Sequence, residues 1–254
     1  MIATEIVDHI LSFLHSDQDY TTLETCAAVL PEIVHRHLYS EITLYTPSSN
    51  PSEVPTWNGK GTYLVDPTQF SLVLLDRPHV ADCVRALRIA VQTNSDATKS
   101  TSLAVIASIL SSLSRIESIA LTTTSIFSWA SLGPTFCTAL VNSIRLPLIR
   151  QFVISNIDGF SLRAFDGCKN LRALQLYGRC ADGECVSTSS YPRLCSLVID
   201  SRPELTRVVS WMKSNTLHTL SLRINSYENL LRCRTLMEAC STTLVNLDIS
   251  FGKS

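Results

Sequence analysis

The first residues of this chain to consider for chemistry are its nine cysteines. Cys180 and Cys185 enclose the four residues ADGE, so a turn could bring their thiols together as two ligands of a zinc ion. A structural zinc site takes four ligands, and nothing nearby is spaced to supply the other two, so we expect no metal. A second group stands beside leucines and is predicted to form small core residues: Cys26, Cys83, Cys168, Cys195 and Cys240.

Motifs of catalysis and phosphate binding are missing from the sequence. It has no G-x-S-x-G nucleophile turn, no G-x-x-x-x-G-K phosphate loop and no H-E-x-x-H zinc helix. The glycines of NGKGTY, residues 58–63, neither follow a strand pattern nor open a helix pattern. His35 and His37 are two residues apart, which places them on different faces of a helix. We therefore expect a protein that is not an enzyme and takes no cofactor.

Composition excludes several further classes of protein. Of 254 residues, 45% are apolar and 17% charged, which is typical of a folded chain. No apolar run approaches the roughly 18 residues of a membrane span, and scattered basic residues with a net charge of −1 predict no nucleic-acid binding. An odd number of cysteines in no paired short spacing, without any Asn-X-Ser/Thr site, favours free thiols in the cytoplasm, the nucleus or both.

Residues 1–45 have the pattern of a short helical segment. In TEIVDHILSFL, residues 4–14, Ile6 and Ile10 begin an apolar stripe along one face of a helix that Phe13 and Leu14 complete. A second helix is predicted from a Thr22 cap to about residue 29, and a third over residues 32–38. The following EITL alternates like a short strand.

Residues 46–66 are predicted to be a loop insertion. The three prolines of this segment, Pro47, Pro51 and Pro55, occur with two glycines, and Pro67 follows the segment directly. No helix or ordinary strand tolerates that density of breakers.

Beyond residue 67 a triple of apolar residues, spaced apolar-x-x-apolar-x-apolar, keeps returning. Its successive starts lie 32, 33, 22, 23, 23 and 27 residues apart. The last four intervals lie within the 20–29 residues of a leucine-rich repeat, and the first two are longer variants of it. YSEITL, at Tyr39, fits as an eighth, degenerate start. The seven triples are VRALRI (Val84), IESIAL (Ile116), IRQFVI (Ile149), LRALQL (Leu171), LCSLVI (Leu194), LHTLSL (Leu217) and LVNLDI (Leu244).

The residues between the triples have helical spacing, so each repeat is predicted to consist of a strand and a helix. Leu103, Ile106, Ala107 and Leu110 share a helix face, as do the apolar residues of RPELTRVVSWMK. Strand and helix alternating every two dozen residues predict an α/β solenoid over 67–254, with parallel strands on the concave face and helices on the convex face. The concave positions form a mixed surface suited to a protein or peptide: Arg150, Gln151, Arg172, Gln175, Ser196, His218, Ser221, Asn246 and Asp248.

Residues 84–250 resemble the leucine-rich-repeat family in an irregular form. That family places Asn or Cys three residues after its last leucine, and only Asn225 matches here. Residues 2–44 resemble an F-box, whose first helix reads Leu-Pro-x-Glu-Ile-x-x-x-Ile-x-x-x-Leu. Glu5, Ile6, Ile10 and Leu14 match, Ile2 and Ala3 replace Leu-Pro, and Leu23 and Cys26 fit the second helix. The combination is similar to many fungal F-box proteins.

The resemblance implies a substrate-recognition subunit of a cullin–RING (SCF-type) ubiquitin ligase. The F-box would dock on the ligase's small adaptor subunit, and the repeats would hold an unknown target protein. The adaptor-binding residues would be Ile2, Glu5, Ile6, Ile10, Leu14 and Leu23.

The sequence also keeps an alternative open. The Trp-containing segment of the F-box is missing, because CAAV runs straight into LPEIV. The chain could then be a repeat scaffold whose degenerate F-box binds no ligase, and the apolar helix face could cap the end of the solenoid instead. The chain stops five residues after LVNLDI, which predicts a truncated member or an association that covers the last strand.

Overall fold

The computed structural model describes residues 26, 31–46, 63–92, 96–181, 192–200, 206–212, 217–224 and 227–251. Within them the strands, in chain order, are β1 Glu41–Tyr45, β2 Tyr63–Val65, β3 Ala86–Val91, β4 Ser118–Ser128, β5 Gln151–Asp158, β6 Phe160–Ser161, β7 Ala173–Tyr177, β8 Cys180–Ala181, β9 Ser196–Asp200, β10 Thr219–Ile224 and β11 Asn246–Phe251. The helices are α1 Pro31–Leu38, α2 Pro67–Asp76, α3 Asp96–Ser112, α4 Pro134–Ile144, α5 Thr206–Met212 and α6 Tyr227–Cys240.

Nine of the strands form one sheet, and all its neighbouring strands are parallel. Its order is β2-β1-β3-β4-β5-β7-β9-β10-β11, which follows the chain except that β2 lies outside β1. The seven apolar triples lead into β3, β4, β5, β7, β9, β10 and β11, so the prediction of an α/β chain with parallel strands is confirmed. The short β6 and β8 form a separate parallel pair that the sequence did not predict.

The sheet extends into the two segments that the sequence set apart. Strand β1, inside residues 1–45, pairs with β3 from Glu41↔Ala86 to Tyr45↔Ala90. Strand β2 lies inside the predicted loop 46–66 and pairs with β1, so the prediction of loop is wrong for residues 63–65. Asp66 then caps α2, because its carboxylate accepts hydrogen bonds from the backbone N–H groups of Thr68 (2.8 Å) and Gln69 (3.2 Å).

The core lies along two rows of aliphatic and aromatic side chains that cross the sheet in register. Every member from β1 to β10 is at most 1% exposed, so each contributes about 1.5–3 kcal/mol by leaving water. Consecutive helices contact one another, α2 with α3, α3 with α4 and α5 with α6. The rows are Ile42, Leu87, Ile119, Phe152, Leu174, Leu197 and Leu220, then Leu44, Ile89, Leu121, Ile154, Leu176, Ile199 and Leu222.

The same hydrogen-bond pattern occurs at the start of every strand from β3 onward, apart from β6 and β8. The carbonyl of the residue before one strand accepts two N–H groups at the start of the next, as the Arg150 carbonyl does from Arg172 (2.8 Å) and Ala173 (2.9 Å). The pattern occurs seven times, and we call it the starting rung. It fixes the register of each strand to its neighbour.

A detour at the carboxyl ends of β4 and β5 interrupts this regularity. The register shifts between Thr122 and Phe127, and Asn156 adopts a left-handed φ of 60°. The Asn156 amide donates to the Thr123 carbonyl (2.8 Å), and the Thr123 hydroxyl has two carbonyl acceptors within reach, those of Ser125 (2.6 Å) and Asn156 (3.0 Å). Asparagine tolerates a left-handed φ better than most residues, and these hydrogen bonds hold the extra residues of this repeat in place.

Helix α1 is fixed to the sheet domain by a histidine contact. The side chain of His35 is 4% exposed, and its Nδ1 lies 2.8 Å from Nε2 of His79. Arg77 Nη1 lies 3.4 Å from His35 Nε2 and can act only as a donor. His35 is therefore neutral, accepts from Arg77 and donates through Nδ1 to His79. Burial, then the charges of His79 and Arg77, lower the pKa of His35 below 6.5.

We predict that truncating the buried aromatic cluster destabilises the chain. Phe165 is fully buried, and its ring centroid lies 5.5 Å from those of Phe152 and Phe160 and 5.9 Å from that of Trp211. Phe165→Ala should lower the free energy of unfolding by about 3–5 kcal/mol in urea titrations, because it opens a cavity. The matched control Phe251→Ala, at a side chain 73% exposed, should change it by less than about 0.5 kcal/mol. Equal losses would contradict this placement of the core.

The His35 contact predicts that stability falls with acid. The folded state binds the His35 proton less readily than the unfolded state, so the contribution is complete above pH 6.5 and is lost as the pH falls below it. His35→Phe should flatten this part of the profile in urea titrations, whereas His218→Phe, at an exposed histidine, should keep the wild-type slope. An unchanged slope in His35→Phe would refute the assignment.

Candidate functional site

The strand side chains that alternate with the core rows form a second face of the sheet, here called the opposite face. It divides into two parts. On β1 and β3–β5 several of its side chains are small or apolar and almost completely buried: Thr43 5%, Ala90 4%, Ala120 6%, Thr122 7% and Val153 4% exposed. Two polar side chains on these strands, Glu41 and Arg88, are half-buried and form an ion pair. On β7 and β9–β11 most of the side chains are polar and half-buried or exposed. This second part, here called the polar half, is the more accessible of the two.

A tyrosine with a carboxylate and a guanidinium beside it occupies the middle of the polar half. Tyr177, on β7, donates from its hydroxyl to Oε1 of Gln175 at 3.3 Å. Asp200 ends the neighbouring β9, and Arg223 pairs with it in register on β10. Burial raises the pKa of Tyr177, the Asp200 carboxylate raises it further and Arg223 opposes the rise. The phenol therefore stays protonated and remains a hydrogen-bond donor.

Further polar side chains continue the face towards β11. Gln175, Ser221 and Asp248 lie in one register row, with Val198 between the first two. The Ser221 hydroxyl donates to Oδ2 of Asp248 at 3.1 Å, which turns the carboxylate towards the row. The row offers hydrogen-bond acceptors and a negative charge, which are groups suited to binding.

The structure places the nine predicted concave residues at two levels. Six of them lie in strands on the opposite face: Gln151, Gln175, Ser196, Ser221, Asn246 and Asp248. Arg150, Arg172 and His218 stand one residue before β5, β7 and β10, at the starting rungs, and are exposed at the amino edge of the sheet. The prediction missed Tyr177, Asp200 and Arg223, although all three stand at alternate positions of strands in which it had named another residue.

The predicted adaptor-binding residues Ile2, Glu5, Ile6, Ile10, Leu14 and Leu23 lie outside the described residues. Of the segment 1–45, the structure describes Cys26, helix α1 and strand β1 with the residues that join them. Helix α1 matches the predicted third helix, and its Val34 and Leu38 belong to the common core. The side of α1 that carries Val34 and Leu38 is therefore occupied by packing.

Burial suppresses the reactivity of most of the described cysteines. It raises the pKa of Cys137 and Cys168 to about 11 and that of Cys180 to about 12. A zinc ligand has to be a thiolate, so Cys180 is poorly suited, and no group of three metal-binding side chains occurs among the described residues. Cys168 and Cys240 are core residues as predicted, whereas Cys83 and Cys195 are half-buried and Cys26 is exposed.

A groove between helices α3 and α4 is another candidate site in the described chain. Its volume is about 550 Å³, and it is lined by small and hydroxyl side chains such as Ala107, Ser108, Ser111, Thr135 and Thr138. The described residues along it include no titratable side chain, so it offers neither a general acid nor a charge. The polar half of the opposite face is the stronger candidate.

Compared with protein-family models, curated proteins and solved structures, the chain matches none of them. No helix among the described residues is both long and apolar enough to cross a membrane.

We predict that native Cys168 resists alkylation. At about pH 8, a thiol pKa of about 11 leaves roughly a hundredfold less thiolate than the ordinary value of 9.0, and Cys168 is also 5% exposed. Iodoacetamide labelling mapped by mass spectrometry should modify the exposed Cys26 first and Cys168 only after urea unfolds the chain. Native Cys168 labelled as fast as Cys26 would contradict the burial.

Proposed function

We propose that the chain is a non-catalytic substrate-recognition subunit of a cullin–RING (SCF-type) ubiquitin ligase. In this function, residues 2–44 dock an adaptor subunit as an F-box, and residues 67–254 form an irregular leucine-rich-repeat solenoid that binds a target protein. The observation that carries the proposal is the starting rung, repeated seven times across a parallel sheet whose strands from β3 onward follow chain order. One repeated unit per strand is the construction of a repeat protein.

The polar half of the opposite face supports a role in binding. It combines a fixed hydrogen-bond donor at Tyr177, carboxylates at Asp200 and Asp248 and a guanidinium at Arg223, all on adjacent strands. Rigid strands hold such groups in place without a change of backbone, which favours recognition of a protein surface.

The docking half of the proposal depends on the sequence resemblance. Glu5, Ile6, Ile10 and Leu14 match the F-box pattern, and an interface built on such aliphatic anchors is sensitive to one charge at its centre. Among the described residues of the segment, helix α1 packs into the core through Val34 and Leu38, and the proposed docking residues all precede this helix in the chain.

Binding of the full chain to the ligase adaptor tests the proposal. We predict that Ile6→Asp and Ile10→Asp each weaken 1:1 binding, measured by calorimetry, by about 2 kcal/mol or more, roughly thirtyfold, because a carboxylate is buried without a partner. The matched control Ile126→Asp, at an isoleucine 60% exposed on β4, should bind like the wild type. Cooperative urea unfolding of every variant would show that the sheet domain has formed.

The same experiment separates the alternative function. Unaltered binding by both Ile6→Asp and Ile10→Asp would refute the docking assignment. A folded wild-type chain that binds no adaptor would make this a leucine-rich-repeat scaffold with a degenerate F-box, and the polar half would then serve a partner unconnected with ubiquitin.

A further inference from the structure

Five cationic side chains crowd the turns that enter β5, β7 and β9 at the amino edge of the sheet. They are Arg145, Arg150, Lys169, Arg172 and Arg193, and all five are exposed. The same turns, residues 145–150, 166–172 and 192–195, contain one carboxylate, Asp166. The whole chain has a net charge of −1, so positive charge is concentrated here against a negative remainder. We call these five residues the basic rim.

Backbone and side-chain contacts hold the three turns together. The Arg150 carbonyl accepts the N–H groups of Arg172 and Ala173, so the first two strand-entry arginines stand on adjacent rungs. Arg172 Nη1 donates to the Arg193 carbonyl at 3.0 Å, which reaches the third turn. The Asn170 amide donates to the Pro147 carbonyl at 2.6 Å and joins the turns that carry Lys169 and Arg145. The rim is therefore one surface.

The charges of the rim are not neutralised by the described chain. None of the five cations forms an ion pair with a carboxylate of the described residues. By contrast, Arg85, just before β3, forms an ion pair with Glu117, just before the neighbouring β4. Its Nε lies 3.8 Å from Oε1 of Glu117. The hydrogen bond from Arg172 goes to a backbone carbonyl, so its positive charge remains available to an incoming anion.

We propose that the basic rim binds an acidic polypeptide segment, whose carboxylates pair with Arg150, Arg172 and Arg193. Guanidinium groups bind carboxylates through two parallel N–H···O bonds, and Arg150 and Arg172 stand just before neighbouring strands only about 4.8 Å apart, so the carboxylates of one segment can reach both. This inference deepens the proposed function. It rests on that function only where it takes the acidic segment to belong to the target protein of the ligase.

Charge along the strands orients the bound segment. Positive groups stand at the amino edge, and Asp200 stands at the carboxyl end of β9, beside Tyr177 and Arg223. A segment whose acidic residues cross the rim and which then continues along β9 places its neutral or basic residues over Asp200. Nucleic acid fits less well, because the rim spans few phosphates and its turns carry no aromatic side chain for base stacking.

The test measures binding of the full chain to a fluorescein-labelled peptide by fluorescence anisotropy. The peptide has about ten residues, in which glutamate alternates with glycine. The double variant Arg150→Glu/Arg172→Glu should bind it about tenfold or more weakly, and wild-type binding should weaken as salt rises. The matched reversal Arg234→Glu, at an arginine 73% exposed on α6, should stay within about twofold. Cooperative unfolding in urea checks that each variant folds.

Two comparisons decide the outcome. Equal binding of a glutamine-for-glutamate peptide, or equal loss in Arg234→Glu, would overturn the proposal. Tighter binding of a single-stranded oligonucleotide of the same charge would assign the rim to nucleic acid instead. Adaptor binding is measured on the same preparations. The double variant Arg150→Glu/Arg172→Glu should bind the adaptor like the wild type, and Ile6→Asp should bind the acidic peptide like the wild type. Failure of adaptor docking and failure of the acidic-peptide proposal are therefore distinguished.

Discussion

The starting rung is the constraint on which the rest of this structure depends. A single carbonyl that accepts two N–H groups from the next strand fixes both where that strand begins and how it is aligned. The core rows then align without further adjustment, because alternate residues of every strand point to the same side. The same alignment brings Gln175, Ser221 and Asp248 into one row on the other side. Core and candidate site are two consequences of one register.

The sequence predicted the parts of the fold that depend on local apolar spacing. Seven strands lie where the triples placed them, and Leu103, Ile106 and Leu110 are buried in α3 as their helical spacing indicates. Strand β2 was missed because three residues beside a proline-rich stretch carry too little pattern, and its pairing depends on β1. The detour at Thr123 and Asn156 was missed because it depends on a contact across two strands.

The candidate site was predictable in part, since alternation alone gives the residues opposite the core. What alternation cannot give is exposure. Ala120 and Val153 occupy the same register row as Gln175, yet they are 6% and 4% exposed, because burial there depends on the surrounding fold rather than on the strand. Gln92, immediately after β3, is a further case: its amide is buried and has no hydrogen-bond partner among the described residues, a cost that no pattern reveals.

Under the proposed function, an adaptor and a target bind at different places on this chain. Strand β1 follows the proposed docking segment, whereas the basic rim begins at β5 and the polar half at β7, three and four strands away. At about 4.8 Å per strand, the rim and the polar half lie roughly 15–20 Å or more from β1 along the sheet. Each starting rung ties one strand to the next over this distance, so the described sheet fixes the spacing between β1 and the candidate site. A fixed spacing is what the proposed receptor requires, because it must hold a target at a set distance from a ligase.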